Sequence, residues 1–385
     1  MNRSHSQAEL KISHPIKIDT VEPILIKPTT RGYAFLIVRI RTDQGIDGIG
    51  ECHASGEARS LAIRDFVDSI AGELGGTNPL EIQAFLNRCA QSGSGWEWFA
   101  AVSAIEIAMW DILGQIAGLP IYTLLGGRVR ERIPLYANHG VFAESKTVEE
   151  RVERAVRTKE AGFDMFKWDP FGYYGIQGTP ETAQLDGAIK EVEAMREALG
   201  ADFNMAIDAH ARFSLEGALM TAKALEPLNP FFFEEPTNPP DQPDLLKQVA
   251  DSTSIPIATG ELLSERRSAE KVLAHGGIQI LQSELGNNGG ILETFKVAAM
   301  AEAHGVKMAP HNWCGPVLAR ATSHVSATIT NLLYMEYAGT APEAAWEHDL
   351  IDPPLQIENG ELIPSDLPGL GSKLNEDVLA SRRID

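Results

Sequence analysis

A βα barrel preceded by a separate α+β unit, an α/β protein in the broad sense, is the fold this 385-residue sequence predicts. Three observations support it. From Ile133 onward, short apolar strand-like runs alternate strictly with helical stretches, giving eight strand candidates. Three consecutive runs end on carboxylates, Asp208, Glu234 and Glu261, spaced 26 and 27 residues apart, about the length of a strand, a loop, a helix and a second loop. Before Ile133 the texture differs, with alternating strands first and helices after.

Residues 1 to about 12 are polar and read as loose. Residues 16–51 read as antiparallel strands, because AFLIVRIRTDQGIDGIGE alternates apolar and polar positions around a DQG turn. His53 follows on a loop. Residues 58–74, 80–89 and 101–116 read as helices, the last apolar nearly all round and therefore expected in the core. LPIYTLLGG closes this unit. IPLYA then leads to Asn138 and His139, and the helix at 148–161 stops at Gly162, a good left-handed terminator. DMFKWDP carries Lys167 and Asp169. The helix at 186–199 sets Ile189, Val192, Met195 and Leu199 on one face. FNMAI, PFFF and IPIATG are the carboxylate strands, separated by helices at 215–225 and 245–250. After a helix at 269–275, IQILQ runs into Ser283 and Glu284, and GNNGG opens a helix at 291–304. VKMAP leads to His311, and a helix near 318–327 precedes NLLYM and Glu336. The remainder is loop-rich and expected to return to the first unit. The implied divisions are 1–131, 132–345 and 346–385.

The net charge of −20 argues against a nucleic-acid partner. It leaves room for an anionic substrate, because a bound cation reverses the local field. Cys52, Cys89 and Cys314 are scattered without CxxC or zinc spacing, so a reducing cytoplasm is expected. MNRSHSQAELK has no apolar core for a signal peptide. The longest apolar zone, 105–125, is interrupted by Asp111, Gln115, Gly118 and Pro120, so no membrane span is expected. A homo-oligomer is the expected assembly.

Three carboxylates at one mouth of a barrel repel one another unless they are protonated or hold a cation. The plainer use, helix N-capping, favours Asp but not Glu. The expected occupant is a hard divalent cation, Mg²⁺, on Asp208, Glu234 and Glu261. Glu234 and Glu235 would point to opposite sides of a strand, so only one should face the ion. His210 reads as a fourth ligand, a general acid or a structural histidine. His311 and Glu284 end neighbouring strands, which suits an imidazole base held by a carboxylate. Lys167 would bind a substrate carboxylate or act as a base, or simply pair with Asp169 at the surface. Glu336 is either a protonated hydrogen-bond donor or a helix cap. Asp169, His53 and His139 are candidate substrate contacts, together with Asn138 and the loop at 29–33. These parts suggest removal of a proton α to a carboxylate, with the enediolate charge stabilised by the cation and Lys167. If the β-carbon bears a hydroxyl, His210 could protonate it and release water. The implied partner is a small-molecule carboxylate.

RIRTDQGIDGIGE, AIEIAMWDILGQIAGLPIYTLLGG, KWDPFG, DAHARF, FFFEEP, ATGE, the pair Gly289–Gly290 and MAPHNW span nearly the whole chain. In these motifs the sequence resembles the enolase superfamily, specifically its mandelate racemase-like branch, whose sites pair a Lys or His base with Mg²⁺. The resemblance implies an α+β capping domain, completed by the C-terminal tail, over a (β/α)₇β barrel. It implies Mg²⁺ on Asp208, Glu234 and Glu261, the first glutamate of EEP being the usual ligand. It implies His311 as base, paired with the acid at position 284, and Glu336 near the enediolate. DAHARF resembles the Asp-x-His pattern of acid-sugar dehydratases of the galactonate and gluconate type, which implies that His210 expels the β-hydroxyl. Two positions depart from the family pattern. The acid of the dyad, usually aspartate, is Glu284 after Ser283, and the second strand reads Lys-x-Asp where the racemases have Lys-x-Lys. The expected activity is Mg²⁺-dependent dehydration of an aldonate or aldarate to a 2-keto-3-deoxy acid. The alternative is racemisation, epimerisation or cycloisomerisation through the same enediolate. A non-catalytic barrel would show gaps among ligands and base, and the sequence has none.

Overall fold

The computed structural model describes residues 15–27, 35–54, 56–138, 145, 147–338 and 349–384. β1 (Ile18–Ile26), β2 (Phe35–Thr42) and β3 (Asp47–Cys52) form an antiparallel sheet in that order. Four helices follow: α1 (Glu57–Leu74), α2 (Ile82–Ser92), α3 (Trp96–Ala117) and the single turn α4 (Ile121–Leu124). α3 starts five residues before the stretch that sequence periodicity predicts, because the bulky Trp96, Trp98 and Phe99 extend its packed surface back to Gly95. Among the described residues it is the one helix long and apolar enough to cross a membrane, and 83% of its most apolar window is buried inside the protein. β3 lies directly on it, so closely that a Cβ at Gly50 would come within 2.0 Å of the Ala104 carbonyl oxygen.

The alternating region runs β4 (Ile133–Asn138), α5 (Val148–Glu160), β5 (Met165–Trp168), α6 (Thr182–Leu199), β6 (Asn204–Asp208) and α7 (Leu215–Leu225). It continues with β7 (Phe232–Glu234), α8 (Pro243–Ala250), β8 (Ile257–Thr259), α9 (Arg266–His275), β9 (Ile280–Leu281) and α10 (Ile291–Ala303). β10 (Lys307–Met308), α11 (Pro316–Thr328) and β11 (Met335–Tyr337) complete it. α6 begins at Thr182, ahead of the predicted 186. Leu185 carries the buried face one turn back from Ile189, and Gln184 accepts the Glu181 N–H at 3.2 Å to cap that turn. β4 to β10 pair in chain order, each parallel to the next, and β11 pairs parallel with β4. The residues at and before β11 also bond to β10 and the residues after it, Leu333 N to Met308 O at 2.7 Å and Glu336 N to Pro310 O at 3.2 Å. The arrangement is TIM-barrel-like.

The remaining chain carries β12 (Ile351–Asp352), β13 (Gln356–Glu358), β14 (Glu361–Ile363), β15 (Lys373–Leu374) and α12 (Glu376–Arg382). β14 adds antiparallel to β4, and the end of the chain returns to β1, where Ile384 N bonds Leu25 O at 3.1 Å and Arg383 meets Glu22 at 2.8 Å. Two buried carboxylates tie the N-terminal unit to the barrel. Glu106 of α3 accepts the N–H groups of Ile291 and Leu292 at 2.8 and 2.9 Å, and Glu51 of β3 accepts those of Gly315 and Leu318 at 2.5 and 2.9 Å. These N–H groups open α10 and α11 and have no partner inside their own helices, so an anion there is favourable.

Candidate active site

Inside the ring of strands a packed layer takes one residue from each of β4 to β9, Tyr136, Met165, Ala206, Phe232, Ala258 and Ile280, with Ala309 just past β10. Side chains alternate faces along a strand, so the residue two further on returns to the interior one layer higher. Those residues are Asn138, Lys167, Asp208, Glu234, Gly260, Gln282 and His311. All that bear side chains are buried. They sit at the C-terminal ends of the strands, where α/β barrels carry their chemistry.

Asp208 and Glu234 are direct neighbours across β6 and β7. The Lys167 ammonium lies between carboxylates, 2.8 Å from Glu234 Oε1, 3.2 Å from Asp208 Oδ2 and 3.4 Å from Glu336 Oε1. Burial opposes its charge, but Glu234 and Glu336 outweigh burial and hold its pKa well above the usual lysine value. Gln282 Nε2 donates to the other oxygen of Glu234 at 2.7 Å. Burial, and then the charge of Asp208, still push Glu234 up to about 8 against Lys167. β7 ends at Glu234, so Glu235 does not simply flip to the far side of a strand. It takes a left-handed φ of 39°, and its Oε1 accepts from Thr259 Oγ1 and Gly260 N at 3.0 and 3.3 Å. Glu235 thus braces the end of β8, one residue before Glu261.

His311 Nδ1 is in very short contact with Glu284 Oε2, and its Nε2 lies 3.2 Å from Glu261 Oε2 and 3.6 Å from Glu336 Oε2. Burial works against the imidazolium, but Glu336, Glu284 and Glu261 raise its pKa well above the usual histidine value. Glu284 is held at about 2, because His311 and His53 outweigh its burial. His53 joins this pair. Its Nδ1 is 3.3 Å from the same Glu284 oxygen, and its ring stacks on His311 at 5.4 Å with 7° between the planes. The backbone joins in, with His53 N on Gly286 O and Gly286 N on Glu284 Oε1, each at 3.1 Å. Glu336 accepts from Asn312 N at 2.9 Å as well as from Asn138 and Lys167. Its burial is outweighed by Lys167 and His311, which lower its pKa, so it stands as an acceptor and not as a protonated donor.

His210 is reached by a turn, since β6 ends at Asp208 and His210 and Ala211 take φ of 46° and 56°. Its N–H donates to Asp208 Oδ1 at 2.9 Å and its Nε2 lies 3.5 Å from Asp208 Oδ2. Burial disfavours its charge, yet Asp208 and Asp169 raise it to about 10. Asp169 lies beyond the end of β5 and is engaged by His210, Arg212, Phe171 and Gly172. These four partners take up the carboxylate that the sequence offered as a candidate substrate contact. His139 and the loop at 29–33 lie outside the described residues.

The structure therefore brings Lys167, Asp208, Glu234, Glu261, Glu284, His311, Glu336, His210 and His53 to one mouth. Sequence reasoning passed over Gln282 and Arg212. Gln282 carried the signal used for the others, a polar residue ending an apolar run, whereas nothing local marked Arg212. Asp208, Glu234 and Glu261 offer oxygen donors alone, the set preferred by a hard divalent cation. Glu234 is raised first by burial and then by the charge of Asp208, with Glu261 and Glu336 adding to it, and a cation among these carboxylates would relieve the repulsion. Among the described residues, the trio whose donor atoms all lie within 4.8 Å of one another is a different one, His53, Glu284 and Cys314, which mixes nitrogen, oxygen and sulfur.

A TIM-barrel-like sheet under an α+β unit, with an acidic cluster and an imidazole–carboxylate pair at its mouth, defines an enolase-type enzyme. The chain belongs to the mandelate racemase / muconate lactonizing enzyme family: residues 8–126 match that family's N-terminal domain, and residues 150–378 match the enolase C-terminal domain-like model. Among individual proteins it is similar to D-galactonate dehydratase of Pectobacterium atrosepticum, at 33% identity over 90% of this chain and 91% of that one. It is also similar to D-gluconate dehydratase of Thermoproteus tenax, at 33% identity over 96% of this chain and 74% of that one. The solved structure of a mandelate racemase/muconate lactonizing enzyme from Jannaschia sp. CCS1 superposes with a TM-score of 0.86 at 34% identity, covering 96% of this chain and 98% of that one.

Proposed function

We propose that this protein is a Mg²⁺-dependent sugar-acid dehydratase on a (β/α)₇β barrel, converting an aldonate or aldarate into a 2-keto-3-deoxy acid. The observation that carries the reading is the pair of imidazoles at the two ends of one series of carboxylates. His210 Nε2 lies 3.5 Å from the first, Asp208, and His311 Nε2 lies 3.2 Å from the last, Glu261. Dehydration needs both, one to take a proton from carbon and one to give a proton to the departing hydroxyl.

His311 has to be neutral to act. A cation on Glu261 and its neighbours would relieve the negative charge that raises its pKa. Nε2 would then take the α-proton while Glu284 holds Nδ1 and fixes the tautomer. The electron pair of the broken C–H bond moves onto the substrate carboxylate as an enediolate. Lys167 sets a positive charge beside that position, and Asp208, Glu234 and Glu261 would hold Mg²⁺. Bound there, the ion supplies Lewis-acid stabilisation of the developing charge. His210 then delivers a proton from Nε2 to the β-hydroxyl, the C–O bond breaks and water leaves. The resulting enol tautomerises to the ketone. Racemisation is the less favoured course: Lys167 is locked between three carboxylates, and the residue two further on is Asp169, which is not a base partner but an anchor for His210.

The test is a panel of aldonic, aldaric and uronic acids incubated with the purified protein and Mg²⁺, read for 2-keto acid, with a parallel series in D₂O. A keto acid should form from at least one sugar acid. His311→Asn should block both keto-acid formation and α-deuterium incorporation. Formation of a deuterated epimer without keto acid would replace this reading with racemisation.

A further inference from the structure

We infer that Asp169 and Arg212 are positioning residues for His210, forming a second imidazole–carboxylate pair that dictates which nitrogen delivers the proton to the leaving hydroxyl. The inference rests on the dehydratase reading above and adds to it a role that neither residue's position in the sequence announces.

Asp169 is 2% exposed. Its Oδ1 accepts the backbone N–H groups of Phe171 and Gly172 at 2.8 and 2.9 Å. Its Oδ2 faces His210 Nδ1 at 2.9 Å and Arg212 Nη2 at shorter range. Four donors converge on one carboxylate, which fills its lone pairs and leaves it no part in binding a sugar hydroxyl. The approach depends on Gly172, where an added Cβ would sit 3.1 Å from Asp169 Oδ2 and 3.3 Å from Arg212 Nη1. Arg212 is itself fixed, with Nε donating to Ala209 O at 2.9 Å.

The backbone of His210 is held from the other side. Ala209 N bonds Glu234 O at 3.0 Å and Ala211 N bonds Glu235 O at 2.8 Å, which stabilises the left-handed turn. The main chain is fixed by β7, and Nδ1 lies 2.9 Å from Asp169 Oδ2, which can only accept, against a longer 3.5 Å approach of the Arg212 Nη2 donor; the shorter contact assigns the Nδ1 proton to Asp169. Nε2 is left facing the acid cluster, where the substrate would lie. Asp169 neither gains nor loses a proton in the reaction; it orients the ring, as the carboxylate of a catalytic triad does for its histidine.

The test is Asp169→Asn. Because all four partners donate, the amide must set its own N–H₂ against another donor in either orientation, so His210 loses its anchor while the shape of the side chain is kept. Keto-acid formation should fall about 100-fold or more, the range expected for losing general-acid catalysis, with KM little changed. In D₂O, α-deuterium should still enter recovered substrate at a rate near wild-type turnover, since His311 is untouched. Arg212→Met should give the same split more weakly. Loss of exchange and dehydration together, or of neither, overturns the assignment. Histidine-selective ¹⁵N NMR of the wild-type protein, with the His210 signal identified by its absence from His210→Asn, gives a readout that needs no folded Asp169 variant. An Nδ1 proton held in a hydrogen bond, shifted downfield and slow to exchange with solvent, is expected, and a bare or freely exchanging Nδ1 overturns the inference. If wild-type protein makes no keto acid from any sugar acid, the reaction reading fails while the Nδ1 result still decides the role of Asp169.

Discussion

Shortening Glu284 to aspartate should slow proton abstraction without altering substrate binding. The carboxylate would retract by about 1.5 Å, one carbon–carbon bond. Glu284 is fully buried, and one of its oxygens serves both His311 and His53, the latter at 3.3 Å. Retraction takes both imidazoles beyond hydrogen-bond range unless the backbone follows. The backbone is not free to follow, because Gly286 packs against His53 N, with only 2.7 Å between that nitrogen and an added Cβ. A hydrogen bond to a charged partner contributes about 1.5–3 kcal/mol. Lost from the transition state, that is a rate reduction of about 10- to 150-fold. The assay is kcat for keto-acid formation beside α-deuterium exchange in D₂O. Both should fall by the same factor, with KM nearly constant, because His311 is the group released. Activity within about twofold of wild type would refute the argument that the longer side chain is what spans the gap between the two histidines. A fall in dehydration with exchange intact would refute the assignment of Glu284 to His311's step.

Two other outcomes bear on the metal and on the fold. At about a hundred times its Kd, a bound ion stabilises a protein by about 2.7 kcal/mol, so Mg²⁺ should raise the Tm of the wild-type protein and leave that of Glu234→Gln nearly unchanged. An equal rise in the variant would remove Glu234 from the ligand set. Glu51→Gln should destabilise by about 2–3 kcal/mol, since one amide oxygen replaces two acceptors and the charge at the start of α11 is lost. A lower urea midpoint reads this directly, and an unchanged midpoint would mean that Glu51 contributes nothing to that helix end.

The sequence was most legible where structure repeats. Asp208 and Glu234 end strands of one periodic unit, and the same period-2 logic that buries Met165, Ala206 and Phe232 lifts Lys167, Asp208 and Glu234 into the mouth. The closeness of His311 and Glu284 was visible because consecutive strand ends are neighbours. Legibility failed wherever the chain left the strand. His210 was assigned to the correct mouth on the assumption of an extended residue, but a left-handed turn takes it there. The four donors on Asp169 come from loop residues and Arg212, and no periodicity records such convergence. The engagement of His53 with Glu284 depends on how the N-terminal unit seats on the barrel, a long-range contact without local signal.

The plug of Tyr136, Met165, Phe232 and Ile280 beneath the polar ring has a consequence for traffic. With the barrel's axis blocked by hydrocarbon, the chamber is a cul-de-sac: whatever enters must leave by the same doorway. Reactant and spent product then share one threshold, and each must clear it before the other can pass.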